Sequence, residues 1–127
     1  MADRRQVRSG APHEERYGYS RAVRVGSRAL VSGTAPVWPD GSCDPDPGAQ
    51  ARRCTEIVLA ALAELGASAE DVVRTRMFVT NAAFADAVGA AHLEAFAGAA
   101  PTTSMVVVAG LLDPRWKVEI EAEAVIS

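Results

Sequence analysis

From Lys117 to Ala124 the chain alternates without a slip: Val118, Ile120, Ala122 and Ala124 are apolar, with Lys117, Glu119, Glu121 and Glu123 between them. A period of two puts successive side chains on opposite faces of a β-strand. Trp116 to Ile126 is therefore predicted as a strand with one face for a core and one bearing three carboxylates. Asp71 to Thr80 alternates too, setting Val73, Thr75, Met77 and Val79 on one face and Val72, Arg74, Arg76 and Phe78 on the other. Two short β-rich runs, Arg21 to Gly26 and Arg28 to Ser32, flank Gly26-Ser27, a pair suited to a tight hairpin turn, and Gly33 ends the second. Thr102 to Ala109 is a further strand, followed by a loop holding Gly110, Asp113 and Pro114.

Two stretches keep the other period. Ile57, Val58, Ala61, Leu62 and Leu65 recur at helical spacing between Ala49 and Leu65, and Gly66 supplies the stop. Ala82 to Ala97 places Phe84, Val88, Ala91, Ala95 and Phe96 on one stripe, closed by Gly98 and Pro101. Between strand and first helix, Thr34 to Gly48 carries Pro36, Pro39, Pro45 and Pro47 with Asp40 and Gly41, which marks a long loop, a class that often holds function. The order is ββαβαββ without internal repeat, an α/β (α+β) two-layer sandwich: helices cover the apolar face of a mixed sheet. The charged face either meets water or lines an interface between subunits. Arg74 and Arg76 are placed to offset its glutamates.

At 127 residues the chain suits one domain, taken as residues 17–127 after a flexible polar lead-in, 1–16. No apolar run approaches the ~20 residues of a membrane helix, and the lead-in lacks the apolar stretch of a secretory signal. A cytoplasmic protein with no membrane partner is expected. A formal net charge of -3 without a basic block argues against a nucleic-acid partner. Cys43 and Cys54 match no metal-ligand or disulfide spacing and are read as reduced thiols.

Several stretches resemble the Rid (YjgF-like) family in the same order: Tyr19 ahead of a strand, Val31-Ser32-Gly33-Thr34, Gln50 opening the first helix, and GASAEDVVRTRMFVTN from Gly66. Pro101-Thr102-Thr103-Ser104 and Val118-Glu119-Ile120-Glu121-Ala122 continue the similarity, which spans roughly Tyr19 to Ile126. The resemblance implies a chorismate-mutase-like fold, a homotrimer with a central β-barrel, and small-molecule clefts at the subunit interfaces. It implies hydrolysis of imines or enamines to carbonyl compounds and ammonia, with no cofactor and no metal. Within that pattern Glu119 matches a cleft glutamate that orients water or handles a proton, and is the catalytic candidate; its other reading is one member of a solvated glutamate row. Tyr19, Ser32, Gly33, Thr103 and Met105 match ligand-binding positions, with Tyr19 equally readable as an interface aromatic.

At three positions the chain departs from the family. Thr103 stands where members carry an arginine that grips a substrate carboxylate; a hydroxyl has no charge and offers one donor. Met105 replaces a frequent cysteine, and Gly89 a frequent asparagine. The expected activity is thus a Rid-like hydrolase or deaminase for a small imine without the usual carboxylate. The alternative is a binding or enzyme-assisting module using the same clefts, and RNA cleavage ranks last. Arg21, Arg24 and Arg76 are candidates for a replacement guanidinium, against ordinary ion pairing, and His92 is read as a packed or solvent-facing side chain.

Overall fold

A computed structural model describes residues 3–127. Its elements are β1 (Arg4–Val7), α1 (Pro12–Tyr17), β2 (Ala22–Val25), β3 (Arg28–Thr34), α2 (Pro47–Glu64), β4 (Val72–Val79), α3 (Ala85–Phe96), β5 (Thr102–Val107) and β6 (Val118–Val125). One six-stranded sheet has the order β1-β2-β3-β6-β4-β5. Neighbours are antiparallel except β4 and β5, which run parallel because α3 returns the chain between them. From β2 onward the order is the ββαβαββ expected from the alternations.

The apolar face of β6 is sealed: Val118 and Ile120 are 0% exposed, Ala122 4% and Ala124 1%. One part of the core packs Val58, Leu62, Leu65 and Phe96 against Ala29, Val31 and Ala122, and the other packs Cys54, Val88 and Ala91 against Met77, Val79 and Ile120. Asp46 accepts from the Ala49 amide at 2.8 Å, so α2 begins with a carboxylate cap and Pro47 in its first turn. Gly66, at φ 81°, lets the chain leave α2 in the left-handed region. Arg24 donates to the Leu65 carbonyl at 2.7 Å and Arg5 to that of Glu64 at 2.9 Å, placing two cations on the negative helix end.

Two expectations need correction. Residues 3–16 of the expected lead-in are built into the domain: β1 pairs with β2, and Val7 is buried in the core. Met1 and Ala2 lie outside the described residues. Its polar composition concealed a strand because an edge strand needs only one anchoring apolar residue when its neighbour supplies the hydrogen bonds. In β4 the register against β6 slips between Val72 and Arg74, so Val72 is buried and Val73 is 44% exposed. One extra residue reverses the face of everything before it. From Thr75 onward the expected faces hold, with Thr75, Met77 and Val79 buried.

The Pro-rich connection from Ala35 to Asp46 contains no helix or strand, and Gln50 pins it. This fully buried side chain donates to the carbonyls of Asp44 at 2.8 Å and Arg115 at 2.9 Å, and accepts from the Lys117 amide at 2.8 Å. Two loops distant in sequence are thereby fastened beside the start of β6.

Candidate functional site

The site is built on an irregularity in β3. Val31 pairs with Ala122 and Thr34 with Ile120, so Ser32 and Gly33 together oppose the single residue between them, Glu121. This bulge keeps both Val31 and Thr34 buried and turns Ser32 and Gly33 away from the core. Glu119 fills the room that results: a Cβ on Gly33 would stand 2.5 Å from Glu119 Oε1. Gly33 is therefore a notch for a carboxylate.

Glu119 is half-buried on the sheet face away from the helices. Burial pushes its carboxyl above the usual range, Arg21 pulls it part of the way back, and Glu121 pushes it up again. Arg21 is the cation whose charge acts on Glu119 from a distance. Its Nη2 donates to the carbonyls of Ser32 at 2.9 Å and Gly33 at 2.8 Å, and its buried Nε–H has no partner among the described residues. Burial lowers the Arg21 pKa, while Glu14, Tyr19 and Glu119 hold it up. Of the three arginines considered for the missing guanidinium, Arg21 alone bears on the Glu119 carboxyl. Arg24 caps α2, and Arg76 pairs with Glu121 at 2.8 Å. The third glutamate of the row, Glu123, is met by Arg28 at 3.0 Å rather than by Arg74.

Tyr19, 40% exposed, shares a hollow of about 430 Å³ with Ser32, whose hydroxyl donates to the Ser20 carbonyl at 2.7 Å. Thr103 and Met105 lie elsewhere. They sit on the edge strand β5, two strands from β6, opposite Thr75 and Met77 and facing the helix layer. Met105 packs on the core, whereas Thr103 is exposed and hydrogen-bonded at 2.7 Å to Thr75 Oγ1, which lies 2.7 Å from His92 Nε2. One chain thus sets Glu119 in the Gly33 notch next to Ser32, puts Tyr19 in a hollow with Ser32, and keeps Thr103 and Met105 apart from all four.

Sequence reasoning named Arg21 among three arginines without separating them, because its contacts are with the next strand, and missed Thr75 and His92 as neighbours of Thr103. A signal existed for Thr75: a hydroxyl on the apolar face of a strand must find a buried partner. Cys43 and Cys54 are free, Cys54 buried in the core and its thiol pushed far up by burial. Among the described residues no three His, Cys, Asp or Glu side chains are placed to hold a metal, and no helix is long and apolar enough to cross a membrane.

Gly33→Ala isolates the notch. The atom met by the new methyl is the end of a flexible side chain, so stability should change by less than about 1 kcal/mol while the carboxylate is displaced. Catalysis through Glu119 should fall about tenfold or more, since a displacement near 1 Å is costly to a positioned group. Melting curves and turnover measured together check it: a large loss of stability with unchanged turnover contradicts the assignment.

Comparison with known proteins gives a consistent result. The family model described as endoribonuclease L-PSP matches residues 11–126. An uncharacterised Streptomyces coelicolor protein is 40% identical over 121 residues, covering 94% of this chain and 90% of that one. The crystal structure of a Mycobacterium tuberculosis member of the YjgF/YER057c/UK114 family superposes with a TM-score of 0.90 at 41% identity, over 98% of this chain and 100% of that one. Escherichia coli TdcF, solved with bound serine, superposes with a TM-score of 0.81 at 31% identity, over 97% and 94% of the two chains.

Proposed function

The chain belongs to the endoribonuclease L-PSP (YjgF-like) family, and from that premise we propose that it hydrolyses a small imine or enamine lacking the carboxylate that a cleft arginine would grip. The observation that carries this reading is Glu119 in the Gly33 notch, a half-buried carboxyl whose proton affinity is raised toward neutral pH. An imine carbon is already electrophilic, so the protein has to place the substrate, orient one water and move a proton. On a protonated imine, Glu119 takes a proton from the attacking water as the C–O bond forms and returns it to nitrogen; the C–N bond then breaks with its electron pair leaving on ammonia, and the hydroxyl gives up its remaining proton to become the carbonyl. The steps need no metal or organic cofactor.

A homotrimer in the cytoplasm is part of the proposal. Two observations support it: the candidate residues fall into two groups that one chain does not join, and the face of the sheet bearing Leu30, Arg28, Arg76 and the glutamate row is uncovered. Copies arranged in a ring would set Thr103 and Met105 of one against Tyr19, Ser32, Gly33 and Glu119 of the next, making the small-molecule cleft. Thr103 also motivates the second reading, a non-catalytic binding module. RNA cleavage, the activity in the family model's description, finds little support in a chain of net charge -3.

Ammonia release tests the proposal, with imines generated from amines and from amino acids by the corresponding oxidases. The carboxylate-free imines should be hydrolysed about tenfold more efficiently than 2-imino acids, because no charge at position 103 rewards the carboxylate. Light scattering should give three times the chain mass. If no imine is consumed faster than in buffer, the hydrolase reading fails, and a metabolite that raises the melting temperature yet is recovered unchanged would establish the binding module.

A further inference from the structure

Thr75 is completely buried, yet its single hydroxyl has two partners, Thr103 Oγ1 and His92 Nε2, each at 2.7 Å. A hydroxyl donates once and accepts on its lone pairs, so these three groups must form a directed chain. When Thr75 donates to Thr103, His92 donates through Nε2–H and the Thr103 proton points outward. With the His92 proton on Nδ1 both hydroxyls rotate, Nε2 accepts from Thr75, Thr75 accepts from Thr103, and an acceptor lone pair is presented at the surface. The inner end is half-buried, with the His92 ring centroid 4.9 Å from that of buried Phe96. The outer end lies on an edge strand and is exposed.

We infer that Thr103, Thr75 and His92 form a proton relay, with Thr103 meeting the substrate and half-buried His92 serving as the terminal acceptor. Its catalytic use rests on the imine reading above. The matching substrate is a neutral or cationic imine, since an uncharged hydroxyl wired to a neutral base gives nothing to a carboxylate. The relay completes the reaction that Glu119 begins. After nitrogen has been protonated, the C–N bond breaks with its electron pair leaving on ammonia, and the remaining hydroxyl becomes a protonated carbonyl. That proton passes to Thr103, the Thr103 proton to Thr75 and the Thr75 proton to Nε2. An iminium, one water and neutral His92 have then become a carbonyl compound, ammonia and imidazolium, which releases its proton between turnovers.

The surroundings suit a neutral acceptor. Burial alone lowers the His92 pKa, with no neighbouring charge contributing. Glu94, two residues on, is paired with Arg52 of α2 at the exposed surface at 3.3 Å. Arg74 and Arg76 alternate to the opposite face of β4 from Thr75.

Two experiments on the intact protein decide the matter. The first needs no substrate: ¹⁵N spectra of the His92 ring follow its tautomer and titration in wild type and in Thr103→Val. A relay requires the loss of an exposed hydroxyl one residue beyond Thr75 to change the His92 tautomer ratio; an unchanged ring overturns it. The second is turnover of the imine probes. Thr75→Val and His92→Phe should each lower kcat about a hundredfold with little change in KM, Thr103→Ser should retain activity, and the acid limb of the wild-type pH profile should vanish in Thr75→Val. Turnover by Thr75→Val within twofold of wild type overturns the inference. Should Thr75→Val fail to fold, Thr103→Val carries the same test from an exposed position. If wild type consumes no imine, the hydrolase reading falls, while the ring spectra still decide the relay.

Discussion

Replacing Glu119 by glutamine is expected to lower imine turnover by about a hundredfold or more and, at pH 7.5, to raise the melting temperature. The two effects have one origin. Glutamine preserves the shape that fits the Gly33 notch and removes the capacity to take a proton from water. It also removes a charge that folding places in a poorly solvated position, where burial outweighs the attraction of Arg21. The sign follows from linkage: the folded carboxyl holds its proton more tightly than the unfolded one. Above its ordinary pKa the folded state is therefore progressively penalised, fully so once pH exceeds the raised value. The gain from glutamine should grow as pH rises above the ordinary glutamate range, about 4.3, and disappear below it, where both states are protonated. Thermal melts above and below that range, with ammonia release at the higher pH, measure it. A variant that melts lower than wild type at pH 7.5 would show that Glu119 is a stabilising partner of Arg21, and the catalytic assignment would lose its physical basis.

Gln50→Leu should have the largest effect on stability among the polar substitutions, about 3 kcal/mol, with a drop in melting temperature of roughly 10 °C. Leucine nearly conserves volume at this fully buried position, so packing changes little. What it takes away is the one partner identified for the Lys117 amide among the described residues, along with the stronger of the bonds to the Asp44 and Arg115 carbonyls, which otherwise meet only the Cys43 thiol. Buried polar groups left unpaired cost more than the bonds themselves contribute. Because Lys117 precedes β6, the damage should reach Glu119 two residues further on, lowering turnover as well. Chemical denaturation gives the stability, and turnover below the unfolding range gives the functional part. A loss under 1 kcal/mol would mean that water or loop rearrangement satisfies these groups.

The hydrophobic pattern made most of the architecture legible. The alternation of Val118, Ile120, Ala122 and Ala124 predicts a strand with one buried face, and those four are the sealed face of β6. The stripe from Ile57 to Leu65 predicts the helix that covers it. At Val72 and Val73 the same logic failed, since a bulge inserts one residue into a run of apolar side chains that looks equally regular either way. β1 failed for a different reason: its hydrogen bonds come from β2, and its lone anchor, Val7, forms no pattern. In the candidate site, Glu119, Gly33, Ser32 and Tyr19 came from motif resemblance. Arg21 and the Thr75–His92 contact did not, because each joins residues from different elements.

From β2 onward the amino-acid sequence by itself determined most of the buried faces and where strands and helices begin and end to within a few residues. Those properties follow from periods of two and about 3.6 that covalent geometry imposes on every short segment. Only the tertiary structure decided the partners: Glu119 with the Gly33 notch, Glu121 with Arg76, and His92 with Thr75 rather than with solvent. Partnership across a sheet depends on register, and one bulged residue in β3 or β4 resets it. No local window contains that residue's consequence.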